Sequence, residues 1–142
     1  MGTWGPGNFE NDTASEYLDD LTREYLDDLT RPLIEHVEQT AVNPAAMEPD
    51  ELDSVVMICN IEMLACLAEG LAKDDGVIRV ELPRPTKIKK WKNAYLKVWD
   101  RYIAELNPTN AHKARRREVI VNTFDRLIAA AQRQTKQRRG RR

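Results

Sequence analysis

The stretch Pro49 to Lys73, PDELDSVVMICNIEMLACLAEGLAK, decides the fold. At 100° per residue, Leu52, Val55, Val56, Cys59, Met63, Cys66, Leu67 and Gly70 share one side of a helix, while Met57, Ile61, Leu64, Ala68 and Leu71 cover most of the other. Only a narrow strip led by Glu62 and Glu69 stays polar. A helix apolar nearly all round is enclosed by its neighbours, so this segment is expected at the centre, covered on several sides. Carboxylates at Asp53, Glu62 and Glu69 argue for a core helix and against a membrane span. Cys59 and Cys66 stand two turns apart, roughly 10.5 Å along the axis, too far for a disulfide. They are expected to be buried thiols, which suits a reducing, cytoplasmic setting.

Amphipathic segments flank this helix. Upstream, Thr13 with Glu16 forms a capping box, with Asp12 as an alternative cap, so a helix is predicted from residue 12 or 13. Tyr17, Leu18, Leu21, Tyr25 and Leu29 give it a drifting stripe. Pro32 kinks or restarts it, Leu33, Ile34 and Val37 carry it to about Val42, and Asn43-Pro44 ends it. Downstream, DDGVIRVELPRPTK (74–87) reads as a loop, because one extended stretch has no strand to pair with. Ile88, Trp91, Tyr95, Val98, Trp99, Tyr102, Ile103 and Leu106 then recur at helical spacing over 86–106, an aromatic stripe that reads as core. The opposite face carries Lys87, Lys89, Lys90, Lys92, Lys97 and Arg101. A last helix over 109–133 buries Val119 or Ile120, Phe124, Leu127, Ile128 and Ala131. The fold class is all-α: a single-domain, four-helix bundle-like fold over residues 1–132. The tail RQTKQRRGRR (133–142), with six basic residues and no apolar anchor, is expected to be disordered.

The first helix contains a perfect duplication, EYLDDLTR at 16–23 and again at 24–31. Eight added residues lengthen a helix by about 12 Å and rotate the residues beyond them by about 80°, which breaks a heptad. Either copy could serve the core, the other extending the helix or looping out. The pairs Asp19/Asp20 and Asp27/Asp28 read as a solvated acidic face, since they have neither a histidine nor a calcium-loop spacing to make them metal ligands.

The head, MGTWGPGNFENDTA (1–14), is kept from helix by Gly2, Gly5, Pro6 and Gly7, and Trp4 and Phe9 are expected to anchor it on the bundle. It is not a phosphate loop: no Gly-Lys-Ser/Thr comes after it, and the helix behind it opens with acids. This opening resembles that of a bacterial family of unknown function, numbered 4259, whose members begin Met-Gly-Thr-Trp-Gly-x-Gly-x-Phe-Asp/Glu-Asn-Asp-x-Ala. Gly2, Thr3, Trp4, Gly5, Gly7, Phe9, Glu10, Asn11, Asp12 and Ala14 all match. The resemblance implies a small helical domain in which Gly2, Trp4, Gly5, Gly7, Phe9, Asn11 and Asp12 are structural, with a single copy of the octapeptide. It brings no activity, cofactor or ligand set with it.

The net charge of −1 conceals a strong division. Residues 1–75 hold 18 acidic side chains against Arg23, Arg31 and Lys73, and residues 76–142 hold 19 basic against five acidic. Either the two halves neutralise each other, within one bundle or across a dimer, or one of them meets a partner. Two cysteines and two distant histidines give no zinc spacing, and no nucleophile elbow, phosphate-binding lysine motif or His-Glu-x-x-His helix is present. The expectation is therefore a non-enzymatic cytoplasmic protein, without cofactor, metal or membrane span. Its leading role is docking a protein partner through Asp19, Asp20, Asp27 and Asp28. One alternative is nucleic-acid association through Arg115, Arg116, Arg117 and the tail residues Arg138, Arg139, Arg141 and Arg142. The other is self-association of two chains.

Overall fold

The computed structural model describes residues 2, 6, 8, 11–71, 80–106 and 108–140. The chain begins as one long rod made of α1 (Asp12–Leu21), a π-helical turn (Thr22–Leu26) and α2 (Asp27–Ala41). A 3-10 turn (Pro44–Met47) leads to α3 (Leu52–Leu71), succeeded by α4 (Pro85–Tyr102), a second 3-10 turn (Ile103–Leu106) and α5 (Asn110–Gly140). No strand occurs among the described residues, and positions 80–84 have no regular secondary structure, as the loop reading expects; positions 74–79 of that reading lie outside the described residues. The four helical units expected from the sequence are all present.

Asn11 caps α1, accepting the Ala14 N–H on its side-chain oxygen at 2.8 Å. The cap thus stands one residue before Asp12 and two before Thr13, the predicted caps. Asp12 is engaged elsewhere: its carboxylate accepts the Gly2 N–H at 3.0 Å while its own N–H donates to the Gly2 carbonyl at 2.9 Å. This reciprocal clasp accounts for two signature positions, Gly2 and Asp12, and the cap accounts for a third, Asn11. A Cβ on residue 2 would stand 2.7 Å from the Asp12 carboxylate oxygen, displacing the group the Gly2 N–H binds. Trp4, Gly5, Gly7 and Phe9, with the anchoring role expected of them, lie outside the described residues.

The π turn sits on the seam between the two octapeptides. There the Asp27 N–H reaches back five residues to the Thr22 carbonyl. A π turn absorbs one residue without advancing the helical phase, so eight residues behave as a heptad and the second copy drifts by only about 20°. Exposure agrees with that phase. Tyr17 and Tyr25, the equivalent tyrosines, are each 64% exposed; Leu18 is buried and Leu26 half-buried. The duplication extends the helix and does not loop out. Pro32 neither ends nor restarts α2; it lies on the exposed side, where the carbonyl it leaves unpaired is open to water.

The core forms where α3 packs on α2 and α5, and α4 packs on α5. Met57, Ile61 and Leu64 of α3 meet Ile88, Trp91, Tyr95 and Trp99 of α4 and Ile120, Phe124 and Leu127 of α5 in one buried cluster. The aromatic stripe of α4 is core as far as Ile103, as its spacing indicates, whereas Leu106 at its end is exposed. Within this cluster the buried Ser54 hydroxyl donates to the Tyr95 hydroxyl at 3.2 Å, and burial raises the Tyr95 phenol above its ordinary range. By length and composition α3 could cross a membrane, but its buried side belongs to this cluster.

Two expectations are corrected. The α3 side containing Val55, Cys59, Met63 and Cys66 faces outward, so the two cysteines are exposed, free thiols. With both sides of the helix apolar, burial is decided by where α2 and α5 dock. The segment from residue 133 is also not disordered: α5 continues through Gly140. Gln, Arg and Lys are good helix formers, and Gln134 fastens this end by bonding the Val80 carbonyl and the Leu82 N–H.

The outer part of the rod rests on little of this core, since α1 and the π turn make no substantial packing with α3, α4 or α5. Deleting 16–23 or 24–31 yields the same single-copy sequence. That chain is expected to fold with a loss of no more than about 1–2 kcal/mol in urea unfolding. A larger loss would show that both copies carry the fold.

Candidate functional site

Because the π turn keeps the copies in phase, the rod presents one motif twice. Tyr17, Asp20 and Leu21 fall together at i, i+3 and i+4, and Tyr25, Asp28 and Leu29 repeat the set on the same side. Tyr25 and Leu29 are exposed, at 64% and 50%. Of the four predicted docking acids, Asp20 and Asp28 share this face. Asp19 is turned away from it and binds Arg23 at 2.5 Å, and Asp27 is half-buried. Arg23 and Arg31 lie near Asp20 and Asp28 at 3.8 and 3.4 Å; exposed pairs of this kind are easily exchanged for a partner's charge. The tyrosines beside the acids were missed as site residues. Their recurrence in both copies was visible, but their common direction depends on the π turn.

Elsewhere, the acidic and basic halves neutralise each other across helices. Arg126 of α5 braces α3: its guanidinium donates to Glu62 at 2.8 and 2.9 Å and to Glu69 at 2.6 and 2.8 Å. Its Nη2 also stands 3.5 Å from the Cys66 sulfur. The Arg126 hydrogen bonds hold the Glu62 carboxyl below its usual range, and a bidentate bond from Arg117 does the same for Asp100. Both pKa values are lowered on folding, so the stability these pairs add is complete above the unfolded carboxyl pKa of about 4 and lost as pH falls below it. The groups are nearly half exposed, which limits each contribution to about 1 kcal/mol or less. A Glu62→Gln/Asp100→Asn chain is expected to lose less stability than the native chain between about pH 5 and pH 2. Parallel losses in thermal melts would contradict this.

The predicted nucleic-acid residues do not converge. Arg117 is bound to Asp100 of α4, Arg116 is half-buried in a cleft of about 480 Å³ between α3 and α5, and Arg115 is exposed. The charges at the start of α5 therefore answer partly to Asp100 of α4. Arg138 pairs with Glu81, Arg139 is exposed, and Arg141 and Arg142 lie outside the described residues. One set could take a hard cation: Glu48, Asp50 and Glu51, in the turn before α3, bring carboxylate oxygens within 4.8 Å of one another.

A second surface complements the rod. Between the end of α2 and α4 run two adjoining hollows of about 620 and 460 Å³, which share Ala41, Val42 and Ala94 as their floor. Val42 is 82% exposed there. Lys90 and Lys97 stand along the α4 side and form no ion pair with a described residue.

Fold and site together define an all-α domain whose first helical unit carries an acidic, tyrosine-bearing face. The chain belongs to the family described as domain of unknown function DUF4259, whose model matches residues 2–137. The match extends past residue 132, in keeping with α5 running on as part of the domain. No curated protein and no solved structure matches the chain.

Proposed function

We propose that the chain is a non-enzymatic cytoplasmic interaction protein that docks a protein partner through the Tyr/Asp face of the rod. The observation that carries this reading is the in-phase display of Tyr17/Asp20 and Tyr25/Asp28 on a segment that, among the described residues, packs little on α3, α4 or α5. Exposed aromatic side chains supply the area that binding requires, and flanking carboxylates supply orientation and selectivity. The free thiols suit a reducing compartment. Nucleic-acid association is the weaker reading, because Arg117 and Arg138 are occupied by Asp100 and Glu81.

Tagged protein captured from a lysate of its native host tests the docking role. A stoichiometric protein that survives nuclease, and is lost when Asp20 and Asp28 are both replaced by Lys, is the expected result. Captured material that vanishes with nuclease, or that ignores the two replacements, would overturn it.

A further inference from the structure

We infer that the partner of the Tyr/Asp face is a second copy of this chain, whose α2–α4 groove receives the rod reciprocally. This inference rests on the docking reading above and adds the identity of the partner.

The two surfaces match in charge, chemistry and spacing. The rod offers carboxylates at Asp20 and Asp28, eight residues apart through the π turn, a separation of about 11–12 Å. The groove offers ammonium groups at Lys90 and Lys97, seven residues apart on α4, or about 10.5 Å; its lining also carries Lys87 and Arg101 against Glu38 and Glu48, so it stays basic. Between these charges the rod exposes tyrosine and leucine, and the groove exposes Val42 and the alanines of its floor. Among the described residues neither surface is covered by the other within one chain: the rod's outer part makes little contact with α4, and Lys90 and Lys97 pair with no described carboxylate. An isologous pair would satisfy both surfaces twice, once in each direction, as a two-fold interface requires. It would also bring the acidic start of one chain onto the basic half of the other, the division already visible in the sequence. The π turn is essential to this fit, because an uninterrupted α-helix would turn Asp28 about 80° away from the line of Asp20.

Sedimentation equilibrium on the full chain tests the inference. The native protein is expected to be a dimer at about 20 mM salt and to weaken at least tenfold near 500 mM, where screening reaches across only a few ångströms. Asp20→Lys/Asp28→Lys and Lys90→Glu/Lys97→Glu chains are each expected to be monomers, because each then opposes like charges. Mixed in equal amounts, the two variants are expected to regain a dimer, because every contact in the mixed pair is again of opposite sign. All four positions carry exposed or partly exposed surface charges, and unchanged circular dichroism of each variant verifies its fold. A native chain that stays monomeric at low salt would overturn the second-copy inference. If that monomer still captured another protein through Asp20 and Asp28, the docking reading would stand alone. A dimer indifferent to both reversals would also overturn the inference and would move the interface to another face.

Discussion

Replacing Phe124 with Ala is expected to cost about 3–5 kcal/mol, a large fraction of the stability of a domain this size. Phe124 is fully buried on α5, and its ring lies 5.7 Å from that of Tyr95 on α4, tilted by 52°. It belongs to the same cluster as Ile61 and Leu64 of α3, so three helices meet around it. The loss has two parts: the transfer energy of the ring, and the void left because helices fixed by other contacts cannot close over it. Phe124→Leu, which keeps most of the volume, is expected to lose only about 1–2 kcal/mol. Urea unfolding measures both. A Phe124→Ala loss under about 1 kcal/mol would mean that α5 does not pack on α3 and α4 in this way.

Ending the chain after Gln132 is expected to cost about 2–3 kcal/mol, although the residues removed are polar or charged. The reason is Gln134. Its amide N–H donates to the Val80 carbonyl and its oxygen accepts the Leu82 N–H, so one side chain does for this extended segment what a neighbouring strand would do. Val80 and Leu82 are buried, at 1% and 8% exposure, and water cannot readily replace the lost bonds. The Arg138–Glu81 pair adds little, being half exposed. Gln134→Glu sharpens the test: it preserves size and the acceptor, but sets a carboxylate oxygen against the Val80 carbonyl. It is expected to destabilise more than Gln134→Ala. A truncated chain with an unchanged urea midpoint would show that residues 133–140 are an appendage.

These two cases also show how far the sequence could be read. The four helical units and the aromatic core of α4 were legible because periodicity there is strong and one-sided. The exposed side of α3 was not, since a helix apolar all round does not say which half its neighbours cover. Asn11, Asp12 and Thr13 are all good capping residues, and the choice fell to Asn11 while Asp12 was held by Gly2, a contact ten residues distant. The end of α5 was not legible because its anchor is a glutamine bonded to backbone more than fifty residues away. The acidic face was half legible. Its charges stood out in the repeat, but the π turn that aligns Tyr17 with Tyr25 arises from no local preference in a sequence identical on both sides of the seam.

The most direct test of the docking face is a photo-crosslink in the native host, with benzoylphenylalanine placed at Tyr25. A discrete protein adduct from that position, absent when the same probe replaces Met63 on the exposed side of α3, is the result expected. An adduct of twice the chain mass would identify the second copy, and another mass a different partner. No protein adduct at position 25, or adducts only at position 63, would contradict docking through the rod.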